Sequence, residues 1–125
     1  MRCNRLVGPI VFVATLSFPA LVCAHHSVVA YYDTKSQLTL KGVVTKVEWT
    51  NPHAFVYIDV RDEHGKLTNW AIETDSPNVL SRGGWTKSTL KADDTITVVG
   101  YPARKQAAGL RLVILELADG RRLKG

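Results

Sequence analysis

Hydrophobic and polar residues alternate along most of the chain after residue 37, and the alternation divides it into short extended elements. In "QLTLKGVVTKVEW", Leu38 and Leu40 keep one phase, while Val43, Thr45, Val47 and Trp49 keep the next. One extra residue accommodated at Gly42 accounts for the slip and predicts a long first strand with a β-bulge there. "TNP" at 50–52 predicts a turn, because proline is excluded from a central strand. "HAFVYIDVR" then places Ala54, Val56, Ile58 and Val60 on one face and Phe55, Tyr57, Asp59 and Arg61 on the other. "DEHG" at 62–65 predicts a hairpin loop with Gly65 in the left-handed position. "KLTNWAIET" returns as a third strand, with Trp70 and Ile72 on one side.

The pattern changes at "SPNVLSRGG". Ser76 as N-cap, Pro77 at the first helical position and Gly83–Gly84 as the stop predict one short helix. "WTKSTLKADD" adds a turn that carries Trp85 and Leu90 toward the core. "TITVVGY" is a fourth strand with Ile96 and Val98 inward, "ARKQAAG" a loop, and "LRLVILEL" a fifth strand apolar on both faces. The order β-β-β-α-β-β, with its bulged first strand, predicts an all-β fold with one short helix: a five-stranded Greek-key barrel of the OB type. An open five-stranded sandwich or meander is the competing arrangement. The stretch "HHSVVAYYDTKS" at 25–36 has no sustained period and predicts an N-terminal arm. The barrel is expected over 37–120, with 121–125 as a C-terminal tail.

The first 24 residues follow other rules. Arg2 and Arg5 form a positive start, residues 6–18 are apolar and uncharged, and Pro19 breaks any helix. Val22 and Ala24 occupy the −3 and −1 positions of a small-residue cleavage site. The apolar run falls short of the ~20 residues that span a bilayer. Residues 1–24 are therefore expected to be a cleaved secretory signal peptide. The mature protein would begin at His25, reside in the periplasm or outside the cell, and keep no transmembrane segment. Val22 is the wrong residue before Cys23 for lipoprotein processing. Cys3 and Cys23 leave with the signal, so no disulfide is available and stability must come from the core.

Hydrophobic residues make up 46% and charged residues 22% of the 125, a balance that suits a globular domain. The formal net charge of +5 includes Arg2 and Arg5, so the mature chain is only mildly basic. With export as well, this charge argues for no nucleic-acid partner.

"AHHS", "YYD", "LKGVVTKVEWTNPHAFVYIDV", "NWAIE", "SPNVLSRGGWT" and "VVGYPAR" together resemble a family of small exported bacterial proteins catalogued as domain-of-unknown-function family 6152. The resemblance covers nearly the whole mature chain, and "VEWTNPHA" is its most specific stretch. Lys91-Ala92-Asp93-Asp94 departs from the Pro-Gly-Asp turn usual in the family. The resemblance implies export and a compact β domain, and it brings no activity.

Catalytic machinery is missing from the sequence. The mature chain has no thiol nucleophile, and no G-x-S-x-G elbow, phosphate-cradling glycine loop or H-E-x-x-H helix occurs. Acidic residues at turns (Asp62, Glu63, Asp93, Asp94) and strand ends (Glu73, Glu116) read as solvated charges. A binding or accessory protein is expected, not an enzyme, with no catalytic residues.

The histidines carry the sharper expectation. A mature N-terminus at His25 would have a free α-amine, with a pKa near ~7.7–8.0. Amine and imidazole on one residue can chelate a metal, and imidazole suits Cu²⁺, Zn²⁺ and Ni²⁺. His26 offers a second mode through the amine, the amide and its own ring. His53, beside the Asn-Pro turn, is the best third donor from the folded domain. A copper site of His25, His26 and His53 is the leading expectation. The competing reading is a frayed terminus that chelates weakly, with His53 bonded only to its turn. His64 at the hairpin tip is expected to be simply exposed.

The alternative is a metal-independent recognition module for a glycan, peptide or partner protein. It would use Phe55, Tyr57 and Asn51, beside Leu67 and Asn69 of strand three, with the loops at 50–53 and 103–109. Against an open face, Val28, Val29, Tyr31 and Tyr32 of the arm could fold back over it. Trp49, Trp70 and Trp85 are expected to be core and barrel-end packing.

Overall fold

The computed structural model of the protein describes residues 27–125. The expected signal peptide and the two leading histidines, His25 and His26, lie outside the described residues. The alternating segments form β1 (Leu38–Glu48), β2 (Phe55–Arg61), β3 (Leu67–Glu73), β4 (Thr95–Pro102) and β5 (Gly109–Leu117). Two short helices, α1 (Val28–Tyr31) and α2 (Pro77–Arg82), and a short strand β6 (Arg122–Lys124) complete the order. The sheet runs β3-β2-β1-β4-β5-β6, and an additional β3–β5 pairing closes the first five strands into a barrel.

β1 makes this closure possible by serving two partners. Its residues 38–43 pair with β4 and its residues 43–48 pair with β2. Val44, Val56, Ile58, Ile72, Ile96, Val98, Leu110, Leu112 and Leu115 fill the interior. Each such aliphatic side chain contributes about 1.5–3 kcal/mol by leaving water. Leu80 of α2, Trp85 and Leu90 join the same buried cluster, so the α2 segment between β3 and β4 supplies core as well as connection. Pro77 stands in the first turn of α2 and Gly83 caps its end, as the sequence predicts. Gly65 takes φ 80° in the β2–β3 hairpin.

The bulge in β1 lies further along than the sequence predicts. The register against β2 shifts between Val44 and Lys46. Val44 is therefore the core residue, 1% exposed, while Val43 is 40% exposed. Gly42 has another reason to be glycine: a Cβ there would come within 2.7 Å of the Asp59 carbonyl oxygen. The glycine admits β2, and Thr45 absorbs the extra residue.

Three further features concern the chain ends and one turn. Residues 121–125 are not a free tail, because β6 pairs with β5 and Trp85 Nε1 donates to the Lys124 carbonyl at 2.8 Å. The arm is ordered from residue 27 onward, with one helical turn at α1 and a bridge from Tyr32 to Ala103. Asp93 adopts φ 73°, the left-handed conformation that a glycine takes without strain.

Candidate functional site

The site grows from the place where three strands meet. Ala54 and Thr74 hold the start of β2 to the end of β3. The Thr74 amide donates to the Ala54 carbonyl at 3.0 Å, and the Thr74 hydroxyl donates to the same oxygen at 2.9 Å. The Ala54 amide in turn donates to the Asp75 carbonyl at 3.1 Å. With Ala54 and Thr74 buried, strand alternation turns their neighbours His53, Phe55, Glu73 and Asp75 to the outer face. The parallel pairing of β3 with β5 then sets Arg111 beside Glu73.

These outward residues form one polar cluster. Nδ1 of His53 lies 2.6 Å from Oε1 of Glu73. The contact is an ion pair when the ring is protonated. Nε2 makes no hydrogen bond to the described residues. Arg111 Nη1 stands 3.8 Å from the same carboxylate oxygen. Arg111 also donates to the Thr74 carbonyl and to the Asp75 carboxylate. The Tyr32 hydroxyl donates to Oε2 of Glu73. Burial first, and then the bond to Glu73, push the Tyr32 phenol well above its ordinary range, while Arg111 pulls the other way.

An open cavity of about 500 Å³ lies over this cluster, lined by Val28, Tyr31, Tyr32, Pro52, His53, Glu73, Asp75 and Arg111. Two carboxylates, one guanidinium and one imidazole line it. The arm reaches it because its backbone is tied to the end of β4 and the loop that follows. The Asp33 amide donates to the Pro102 carbonyl at 2.9 Å, and the Arg104 amide donates to the Tyr31 carbonyl at 2.8 Å.

His53 thus sits at a built site, not merely against its own turn. Among the described residues no group of three His, Cys, Asp or Glu is arranged to hold a metal ion. The described part of the chain fits a copper site only as the donor of one imidazole, its ring set by a carboxylate behind it, as metal-binding histidines commonly are. His64 is exposed in the β2–β3 hairpin loop, as expected.

The residues of the alternative reading lie elsewhere. Phe55 and Tyr57 do face outward, their rings 6.2 Å apart and inclined by 24°. Lys46 Nζ sits 5.4 Å over the Tyr57 ring, and the Tyr57 hydroxyl donates to Glu48 at 3.1 Å. Burial and the Glu48 bond raise the Tyr57 phenol, and bonds from Lys46 and Tyr57 lower Glu48. The register places Glu73 opposite Phe55 and Ala71 opposite Tyr57, so Leu67 and Asn69 lie beside Arg61 and Asp59 instead. Asn51 is exposed in the bend before a cis Asn51–Pro52 bond. The start of the 103–109 loop is occupied by the arm.

Glu73, Asp75, Arg111 and Tyr32 are the site residues that sequence reasoning missed. Glu73 is no solvated strand-end charge, since its side chain is only 18% exposed. One signal was available: on a strand with Ile72 and Thr74 inward, Glu73 and Asp75 must share the face of Phe55 and His53.

The fold and site define a class, a closed OB-type barrel with an N-terminal arm docked beside a polar cavity. Within that class the chain belongs to the Family of unknown function (DUF6152), whose profile matches residues 12–111. Among solved structures it is similar to the crystal structure of the mitochondrial single-stranded DNA-binding protein Rim1 of S. cerevisiae. That likeness has a TM-score of 0.51 at 10% identity and covers 66% of this chain and 93% of that one. At such identity it shows the OB fold alone. No curated protein matches the chain significantly.

Proposed function

We propose that this is an exported, periplasmic binding protein that holds Cu²⁺ between His25 and His26 at its mature N-terminus and His53 of the barrel, and that it acts by binding, not as an enzyme. One observation carries the reading: His53, with Nδ1 against Glu73, lines the same cavity as Val28 of the arm. Three residue steps separate His25 from Val28, a reach of about 10 Å at most. On this reading the terminal amine and imidazoles of 25–26 meet the His53 ring across that cavity. Glu73 and Asp75 place carboxylates beside the ring, and imidazole favours copper among the available divalent ions. The bound ion would supply Lewis acidity or electron storage, and the residues here would bind and orient it.

Copper titration, followed spectroscopically, tests this with two proteins. One begins at His25, and the other carries one extra residue that acylates the His25 nitrogen. The first should bind much more tightly, because the chelate loses its amine in the second while every side chain remains. Equal binding would refute the site. Intact-mass analysis of exported protein should give a chain starting at His25, and a start at Ser27 or later would refute it too.

The outward Phe55–Tyr57 pair favours a second reading, metal-independent recognition of a glycan, peptide or partner protein. Lys46 already covers one ring. The DNA binding named for Rim1 is not carried over, since the positive charge on this face is neutralised by Glu48.

A further inference from the structure

The two oxygens of a single carboxylate hold the two halves of the candidate site. Oε1 of Glu73 lies 2.6 Å from Nδ1 of His53, and Oε2 accepts from the Tyr32 hydroxyl of the arm. Val28, Val29 and Tyr31 remain 39%, 56% and 56% exposed, so apolar burial contributes little. Other anchors, exchangeable with water, include two backbone hydrogen bonds, a guanidinium bond from Arg104 Nε to the Val29 carbonyl at 3.1 Å and an Arg104–Asp33 ion pair at 3.7 Å. A hydroxyl bond to a half-buried carboxylate is the stronger kind, being charge-assisted and shielded.

We infer that Tyr32 and Glu73 are positioning residues that form a latch, which docks the arm and sets the His53 ring through one shared carboxylate. With the arm docked, the ring is held with Nδ1 toward Glu73, and Val28, from which the chain runs back to His25, stays on the same cavity. With the arm released, the reach is lost even though His53 stays in place. The purpose of this coupling rests on the copper reading, but the latch itself does not. By linkage, whatever binds both the arm and His53 must tighten the latch by the same factor that the latch tightens binding.

Two variants and three measurements test it, all on the protein beginning at His25. Amide exchange at Asp33 and Arg104 reports arm docking without metal, because both amides bond across the arm–barrel contact. Tyr32→Phe should speed exchange at both by about tenfold or more, the loss expected for one bond to a charged group. Copper affinity should fall by a similar factor. Glu73→Ala should loosen the arm likewise and also redistribute the His53 ring proton between its two nitrogens, read from the ring ¹⁵N shifts, a change that lost packing alone would not give. Should Glu73→Ala fail to fold, Tyr32→Phe decides alone, since it removes one oxygen. Unchanged exchange in Tyr32→Phe overturns the latch. Faster exchange with unchanged copper affinity overturns the coupling, and an unchanged tautomer in Glu73→Ala overturns the positioning of His53. If copper binds the processed and extended proteins equally, the copper reading fails instead, and the exchange data still judge the latch.

Discussion

Glu73 and Arg111 stand side by side on β3 and β5, in the only parallel pairing among the described strands, with Arg111 Nη1 3.8 Å from Glu73 Oε1. The seam that closes the barrel therefore also assembles the polar cluster. Arg111 is 12% exposed, donates to Thr74 and Asp75, and forms a longer ion pair with Glu73, three residues in sequence on the neighbouring strand and its exit.

Removing that cation should weaken the seam as well as the site. Arg111→Ala is expected to cost about 3 kcal/mol, the lower end for breaking a buried pair, because Asp75 keeps partial access to water at 35% exposure. Urea denaturation of the two proteins measures it. A loss within a few tenths of a kcal/mol would mean that the backbone pairing of β3 with β5 holds the barrel shut unaided.

The raised phenol of Tyr32 gives stability a sign on the alkaline side. An unfolded tyrosine titrates near ~10, and the folded one lies above that because of burial and Glu73. The contribution is full below that ordinary value. It falls as pH rises through it, because the unfolded chain gives up its proton first. Thermal melts across an alkaline series should therefore lose stability more steeply in the native protein than in Tyr32→Phe. Parallel curves would show that Tyr32 does not carry this dependence.

Trp85 should be the most costly tryptophan to truncate. It is 3% exposed and bonds the Lys124 carbonyl, so Trp85→Ala should cost about 3–5 kcal/mol and release β6. Trp70 and Phe55 are only partly buried, and their alanine variants should lose distinctly less. Chemical denaturation ranks the three, and an equal loss for Phe55 would contradict its outward placement.

Asp93 holds a left-handed φ of 73° in the turn before β4. Asp93→Gly should relieve that strain and stabilise the fold by up to about 1 kcal/mol, unless the extra freedom of the unfolded glycine offsets it. A rise in melting temperature is the expected result. A fall would show that the Asp93 side chain supports the turn.

Much of the architecture was legible because it depends on neighbours in sequence. Period-two alternation marks which residues of β2 and β4 face the core, and Ser76-Pro77 with Gly83-Gly84 bounds α2, since helix ends are set by local dihedral preferences. The five-strand order and the helix between strands three and four follow from those elements. The position of the bulge was not legible. Gly42 and Thr45 both interrupt the pattern in one dimension, and only the register against β2 decides which of them absorbs the extra residue. His53 could be singled out by its chemistry, but its partner could not. Tyr32 reaches Glu73 across 41 residues, and Arg111 reaches Asp75 across 36. Side chains so far apart in sequence meet only once the barrel closes, because closure alone brings β5 against β3. The sequence by itself determined the elements and the faces they present. Tertiary structure decided which charged groups share a face, and so turned a strand-end carboxylate into the centre of a site.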